Sequence, residues 1–223
     1  MLAQSPCRRV PLPKVEREEM RFLTPAQVAA LADAIDRRYR ALVLVGAYGG
    51  LRIGELAGLR RSRVDLDAGT VDVAETVVEV EGRLLFGPPK TRAGRRRIGL
   101  PRRVVDELAL HMRAPGRPTD PVFRSPAGGP PRVTAFRNRI WRPATLAAGL
   151  PGLRILDLRH TAVALWIAAG ASPKEIAVRA GHTSTSFVLD RYGHLFPESD
   201  AALRDRLDEL FGPATEQRRN TTA

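Results

Sequence analysis

The sequence predicts a mainly α-helical domain that carries a small antiparallel three-stranded β-sheet, an α+β fold. Helix-start signals and apolar residues at helical spacing recur along most of the 223-residue chain, which favours helices. Only residues 70–100 carry β-branched, partly alternating runs with turn residues between them, the pattern of short strands. A chain of this length can bury a substantial core in one or two domains.

The helices are predicted from capping residues, apolar stripes and breaking glycines. Thr24, followed by Pro25 and Gln27, forms a helix-start signature for the first of them. Further helices are expected over residues 41–48, 52–59, 101–113, 134–148, 157–169, 173–180, 184–191 and 199–211. Residues 1–20, rich in proline and mixed charge, are interpreted as a linker. Residues 21–211 then form one folded domain, and residues 212–223 a disordered tail.

Four strands are expected between the third and fourth helices. Their segments are β-branched or alternating and lie at residues 70–74, 77–80, 84–86 and 97–100. Glu81 and Gly82 form a turn between two of them. Residues 88–95, which are rich in proline and basic side chains, are interpreted as an exposed hairpin loop.

The charge of the chain points to a polyanionic partner. It has 36 Lys and Arg against 24 Asp and Glu, a net charge of +12, with a pI near 11.2, and such basic proteins commonly bind nucleic acid. An arginine-rich solvated surface from a GC-rich genome would give the same composition. Only 5% of residues are aromatic, which disfavours stacking on single strands, so duplex DNA is the predicted partner.

Cysteine and hydrophobic content exclude several other classes of protein. The single cysteine, Cys7, rules out an internal disulfide. Because the chain has only four histidines besides this cysteine, a structural zinc site is not expected. The sequence shows no run of about eighteen apolar residues and no signal-peptide core. We therefore expect a cytoplasmic protein that does not enter a membrane.

Short motifs place arginine, histidine and tyrosine in a fixed order, each near an apparent helix end. Arg52 lies in Gly-Leu-Arg-Ile-Gly-Glu-Leu and Arg159 in Asp-Leu-Arg-His-Thr. His182 follows a glycine, and Tyr192 lies ten residues further on in Arg-Tyr-Gly-His. Arginine offers a planar fork of donors to phosphate oxygens, and tyrosine offers an oxygen nucleophile. This order of residues suits attack on a phosphodiester.

Over residues 21–210 these motifs resemble the catalytic domain of the tyrosine recombinases, the phage integrase family. The resemblance implies that the chain breaks and rejoins duplex DNA through a 3′-phosphotyrosyl bond, with no metal or nucleotide. It implies a nucleophile at Tyr192, a phosphate clamp of Arg52 and Arg159, and a hydrogen bond from His182 to the scissile phosphate. The other tyrosines, Tyr39 and Tyr48, lie inside predicted helices and are expected to pack in the core.

The basic loop supplies a further candidate. Lys90 resembles the lysine that acts in the family as general acid to the leaving oxygen, and it is the only lysine between Lys14 and Lys174. The neighbouring Arg92, Arg95 and Arg96 are expected to hold the DNA backbone.

Three residues are predicted to support the site or to weaken it. Glu55 lies three residues after Arg52 and can brace it, although an ordinary intrahelical ion pair would look the same. His160 is rotated by about 100° from Arg159 along a helix, so it is expected to support the fold. Leu156 stands where the family usually has histidine and, facing the same pocket as Arg159, cannot accept a proton, so we expect impaired activity.

The resemblance also bears on partners. Family members carry a core-binding domain before the catalytic one, and residues 1–20 correspond to the linker between them, so the chain is expected to be an excised piece or a truncated gene product. A homo-tetramer on DNA is implied for the full-length protein, with a monomer that binds DNA weakly and salt-sensitively for this chain alone. The alternatives are a non-catalytic DNA-binding remnant and a monomeric type IB topoisomerase.

Overall fold

The computed structural model describes residues 20–196 and 204–210, and helices make up most of them. The α-helices are α1 (Pro25–Ala34), α2 (Arg40–Gly49), α3 (Ile53–Gly58), α4 (Arg102–Met112), α5 (Val133–Phe136), α6 (Arg142–Ala147), α7 (Ile155–Ala168), α8 (Pro173–Ala180) and α9 (Ser186–Tyr192). A π-helical segment, Arg137–Trp141, joins α5 to α6. The predicted helices up to α9 differ from these bounds by one or two residues. No described helix has the length and apolar character needed to cross a membrane.

Local capping explains where several helices begin. The Thr24 hydroxyl accepts a hydrogen bond from the Gln27 amide, and the Gln27 side chain accepts one from the Thr24 amide, as the capping signature predicts. Ser172 and Glu175 form the same reciprocal pair at the start of α8. Of the predicted last helix, residues 204–210 are helical; the predicted linker, up to residue 19, and the predicted tail lie outside the described residues.

The strands form two small antiparallel sheets, so the predicted mainly α fold with a small sheet is confirmed. The strands are β1 (Val64–Asp65), β2 (Thr70–Val73), β3 (Thr76–Val80), β4 (Arg83–Gly87) and β5 (Arg96–Gly99). The three-stranded sheet has the order β1-β2-β5, and β3 pairs only with β4. The prediction of a hairpin at residues 88–95 is wrong, because that loop joins β4 in one sheet to β5 in the other. Strand β1 was missed because two residues carry no readable alternation.

The core surrounds α2, which packs against α1, α4 and α7. Its buried side chains include Leu42, Val43 and Val45, and Tyr39 is buried beside them. A second, smaller cluster lies beneath α7, α8 and α9 and contains Trp166. Helix α7 belongs to both clusters and therefore connects the main core to the C-terminal helices.

Gly50 ends α2 in a conformation that other residues adopt with strain. Its φ is 68°, and a Cβ atom there would lie 2.6 Å from the Trp166 ring. The Trp166 indole donates a hydrogen bond to the Tyr48 carbonyl, 2.9 Å away, which fixes the ring against this turn. Glycine is therefore required both by the backbone angle and by the close approach of α7.

We expect Gly50→Ala to destabilise the protein by about 2–5 kcal/mol, from the left-handed backbone and the overpacking together. Gly82→Ala is the matched control, because its φ is 73° but no atom of the described residues lies within 4 Å of the added Cβ; it should cost about 1–2 kcal/mol. Urea unfolding of both variants measures the difference. Equal losses in the two variants would show that contact with Trp166 does not matter.

Candidate active site

A cavity of about 420 Å³ brings together side chains from distant parts of the sequence. Arg52, Glu55, Lys90 and His182 all line it, with Phe187 on one wall. Another cavity, of about 500 Å³, lies beside the strands and is lined by no lysine, histidine or tyrosine. Three of the five predicted catalytic residues therefore share the first cavity.

One wall of this cavity is a carboxylate held between two arginines. Arg52 immediately precedes α3, and its guanidinium donates to Glu55 Oε1 over 3.0 Å while its amide donates to Oε2 over 2.8 Å. Arg96, from β5, donates to both oxygens of the same carboxylate, at 3.1 and 3.0 Å. Burial alone would raise the pKa of Glu55, but the bonds and charges of Arg96 and then Arg52 outweigh it and lower that pKa. Glu55 is thus a fixed anion that braces Arg52.

The two arginines bound to Glu55 differ in exposure. The Arg52 side chain is 45% exposed, whereas that of Arg96 is 4% exposed. Arg96 also donates to the carbonyls of Arg179 and Gly94, at 2.7 and 2.9 Å. The prediction that Arg96 holds DNA therefore needs correction, because its donors are taken up inside the protein. Arg52 is the guanidinium that remains open to a ligand.

Arg159 lies behind the cavity, where its guanidinium is buried. It donates to the Gly50 carbonyl over 2.7 Å, to the Ala180 carbonyl, and to His182 Nε2 over 3.0 Å. These carbonyls stand at the C-terminal ends of α2 and α8, where the helix dipole is negative and favours a cation. Burial, followed by the charge of Arg52, lowers the pKa of Arg159 to about 9. It remains charged at neutral pH.

His182 is held in one tautomer by Arg159. Since arginine only donates, His182 Nε2 must accept, and the ring proton lies on Nδ1. That Nδ1 is buried and has no partner in the described structure. Burial, then the charge of Arg159, lowers the pKa of His182 to about 4. The neutral imidazole therefore lines the cavity, and its N–H on Nδ1 is buried.

The loop between the sheets brings Lys90 to the cavity. Lys90 is exposed and lines the cavity beside Pro89 and Thr91. Arg92 and Arg95 are also exposed on this loop. The expectation that these two arginines contact DNA stays a prediction.

Tyr192 lies apart from the cavity lining. It ends α9, is 1% exposed, and its hydroxyl lies 2.7 Å from His160 Nδ1. Burial raises the pKa of Tyr192, while the charges of Arg159 and Arg191 lower it. Helical spacing turns His160 away from Arg159, but its contact with Tyr192, 32 residues away, was not predicted.

The first turn of α7 differs from the prediction. The helix begins at Ile155, two residues before the predicted start, and Asp157 accepts a hydrogen bond from the Arg154 amide over 2.8 Å. Leu156 is 48% exposed and does not line the cavity, so the expectation that it faces the same pocket as Arg159 is corrected. The described residues contain no cluster of acidic, histidine or cysteine side chains fit to hold a metal ion.

Replacing Glu55 by glutamine tests the buried ion pair. We expect a loss of about 3–5 kcal/mol in the free energy of unfolding, because Arg96 would keep a buried charge without its counter-ion. Glu79→Gln, which breaks a more exposed pair with Arg132, should cost below about 1 kcal/mol. Urea unfolding at neutral pH compares them, and similar losses for both would contradict the bracing role.

The two low-pKa histidines predict a pH dependence of stability. His160 and His182 have folded pKa values of about 4, against about 6.5 in an unfolded chain. Between these values the unfolded state binds more protons, so stability should fall as the pH drops from 6.5 to 4. The midpoint of urea unfolding should fall less steeply with decreasing pH in His182→Gln than in the wild type. In the exposed control His194→Gln it should fall as steeply as in the wild type. An unchanged slope in His182→Gln would refute the assignment.

Comparison with known proteins agrees with this geometry. Residues 21–199 match the Phage integrase family. The chain is 30% identical to the prophage phiRv2 integrase of Mycobacterium tuberculosis, covering 94% of this chain and 57% of that protein. It is 26% identical to the ICEBs1 integrase of Bacillus subtilis, covering 95% and 60%. The chain thus spans somewhat more than half the length of these relatives.

Solved structures show the same fold. The Tn1549 transposon integrase bound to circular intermediate DNA superposes with a TM-score of 0.72 at 21% identity, over 87% of this chain and 68% of that one. The XerA recombinase gives 0.63 at 22% identity, over 89% and 66%. The catalytic domain of bacteriophage HP1 integrase gives 0.56 at 18% identity, over 83% and 95%. With the family match over residues 21–199, the motifs and the fold lead to one conclusion: this chain belongs to the phage integrase family.

Proposed function

We propose that this chain is the catalytic domain of a site-specific recombinase that breaks and rejoins duplex DNA through a 3′-phosphotyrosyl intermediate. The observation that carries the proposal is the gathering of Arg52, Lys90 and His182 around one cavity, with Arg159 bonded to His182. Two guanidinium groups, an ammonium and a neutral imidazole N–H suit a phosphate whose charge grows during displacement.

Each group has a role that its surroundings support. Arg52, open to solvent and braced by Glu55, binds the scissile phosphate as a two-donor fork. Arg159, bound to the helix ends, supplies a buried positive charge and orients His182. The His182 imidazole hydrogen-bonds a phosphate oxygen, and Lys90 protonates the leaving 5′ oxygen. Tyr192 supplies the oxygen that forms the covalent bond.

The partner follows from charge and family. The net charge of +12 and the exposed Arg92 and Arg95 beside the cavity suit a DNA backbone. Related structures include the Tn1549 integrase with circular intermediate DNA and a lambda integrase dimer bound to a core site. We propose duplex DNA as the substrate, a homo-tetramer on DNA for the full-length protein, and a cytoplasmic setting.

A second candidate is a non-catalytic DNA-binding remnant of an integrase. The buried position of Tyr192, outside the cavity lining, favours it. The leucine at position 156 favours it too, because it offers no imidazole where the family usually has one. In this case the chain would bind duplex DNA without forming a covalent bond.

A covalent-adduct assay separates the two candidates. The chain is incubated with suicide duplexes carrying a randomised central sequence, and a DNA-linked band is sought on a denaturing gel. We expect an adduct that Tyr192→Phe abolishes, because phenylalanine has no nucleophilic oxygen, and that Arg159→Ala reduces by about 10²–10³-fold in rate.

Tyr48→Phe is the matched control, since Tyr48 is half-buried in α2, away from the cavity lining, and it should form adduct like the wild type. Sequencing the captured duplexes should show an enriched core sequence. Absence of adduct from both the wild type and Leu156→His would support the binding-only remnant.

A further inference from the structure

We propose that His160 is the base that removes the proton from Tyr192 when its oxygen attacks phosphorus, the task that Leu156 cannot perform. The inference rests on the proposed function and assigns a catalytic role to a residue that the sequence placed only in the fold. It starts from one contact, the 2.7 Å separation of His160 Nδ1 and the Tyr192 hydroxyl.

The contact is a buried hydrogen bond between two separate helices. His160 comes from α7 and Tyr192 from the end of α9, and both are buried. Their ring centroids lie 5.9 Å apart with the planes tilted by 49°, so the rings meet through the polar edge and do not stack. The distance is normal for a strong hydrogen bond.

The surroundings set the direction of this bond. Arg191 is the charged neighbour of the Tyr192 hydroxyl on α9, and arginine cannot accept a proton. Within the described residues His160 Nδ1 is thus the acceptor that the hydroxyl finds, and the imidazole proton lies on Nε2. His160 Nε2 is buried without a partner in the same part of the chain. In the described residues, the bond to Tyr192 is therefore the polar contact that orients the buried ring.

The charges around His160 keep it able to accept a proton. Burial, and then Arg191 on α9, lower its pKa to about 4; Asp157 acts in the opposite direction, and Arg154 and Arg159 add to the lowering. The imidazole is therefore neutral at neutral pH. Burial raises the pKa of Tyr192, and the charges of Arg159, Arg191 and Arg52 offset that rise only in part, so the hydroxyl needs a base to lose its proton.

The proposed step balances in protons and bonds. The Tyr192 proton passes to His160 Nδ1 while the Tyr192 oxygen bonds to phosphorus. The bond from phosphorus to the 5′ oxygen breaks, and that oxygen takes a proton from Lys90. In rejoining, the 5′ hydroxyl returns its proton to Lys90 and attacks phosphorus. The released Tyr192 oxygen then recovers its proton from His160.

The assignment is tested by single-turnover adduct formation with the full chain, measured from pH 5 to 9. The substrate is a duplex whose sequence was recovered in the adduct assay. His160→Gln should react about 100-fold more slowly, near the low end for a lost general base because His160 is a weak one. The wild-type rate should be level through neutral pH, whereas the His160→Gln rate should rise with hydroxide concentration. The control His194→Gln, an exposed histidine two residues after the nucleophile, should match the wild type.

Several outcomes would overturn the proposal. His160→Gln rates within about twofold of wild type, or a pH profile unchanged by the substitution, would remove His160 from proton transfer. Faster adduct formation by His160→Gln would show that the hydrogen bond only holds Tyr192 in an unreactive position. Loss of adduct in the wild type itself would refute the proposed function instead, which is a distinguishable result.

A second measurement does not require DNA cleavage. Nitrogen-15 NMR of the free protein reports which ring nitrogen of each histidine carries the proton. We expect His160 to be neutral at pH 7 with its proton on Nε2, and its Nδ1 resonance to shift in Tyr192→Phe. A proton on Nδ1, or a resonance unaffected by Tyr192→Phe, would contradict the assignment whatever the fate of the adduct assay.

Discussion

The site depends on the burial of a single guanidinium group, that of Arg159. A buried charge is tolerated only where hydrogen-bonding partners replace water. The partners here are the carbonyls of Gly50 and Ala180 and the ring nitrogen of His182. Because the carbonyls end α2 and α8, satisfying one charge fixes two helix ends against α7. The left-handed turn at Gly50 is part of the same requirement, since it ends α2 where its carbonyl meets Arg159.

A second buried charge links this network to the strands. Arg96 leaves β5, binds the Glu55 carboxylate and reaches the Arg179 carbonyl near the end of α8. Glu55 in turn holds Arg52 at the mouth of the cavity. Arg52, Lys90 and Glu55 thus line the cavity, and the buried guanidinium groups of Arg96 and Arg159 are bonded to Glu55 and His182 behind them, an excess of positive charge suited to an anion. Of Arg52, Arg96 and Arg159, Arg52 is the one with a substantially exposed side chain, so it can contact a ligand directly. The buried Arg96 and Arg159 contribute positive electrostatic potential.

Much of this arrangement could be predicted from the sequence, because its motifs are local. Arg52 and Glu55 are three residues apart, and His182 follows the glycine that ends α8, so their neighbourhoods could be inferred. Arg96 could not be separated from the arginines beside it without the strand register. In β5, Arg97 pairs with Asp72 and Arg96 with the buried Val73. Alternation along the strand therefore turns Arg97 to the surface and Arg96 inward.

The contact between His160 and Tyr192 depends on packing that no local pattern encodes. Helical geometry turns His160 about 100° from Arg159, but it does not say which element covers that side of α7. The structure places α9 there, through Val188 and Tyr192 in the smaller core cluster. Leu156 lies one turn before His160, about 6 Å along the axis. His160 thus lies one turn further along α7 than Leu156, the position where the family usually has histidine.

Helix α7 consequently carries side chains with two different roles on two of its faces. Arg159 faces the cavity that suits a phosphate, and His160 faces the tyrosine that would attack it. A productive complex must bring these faces together through α9, which carries the hydroxyl. This helix has seven residues, exposes Phe187 and Leu189, and buries Val188 and Tyr192. A helix so short has little stability of its own. Helices α2, α7 and α8 are joined by the buried charge of Arg159, whereas α9 is held by the packing of Val188 and Tyr192 and by the bond between Tyr192 and His160.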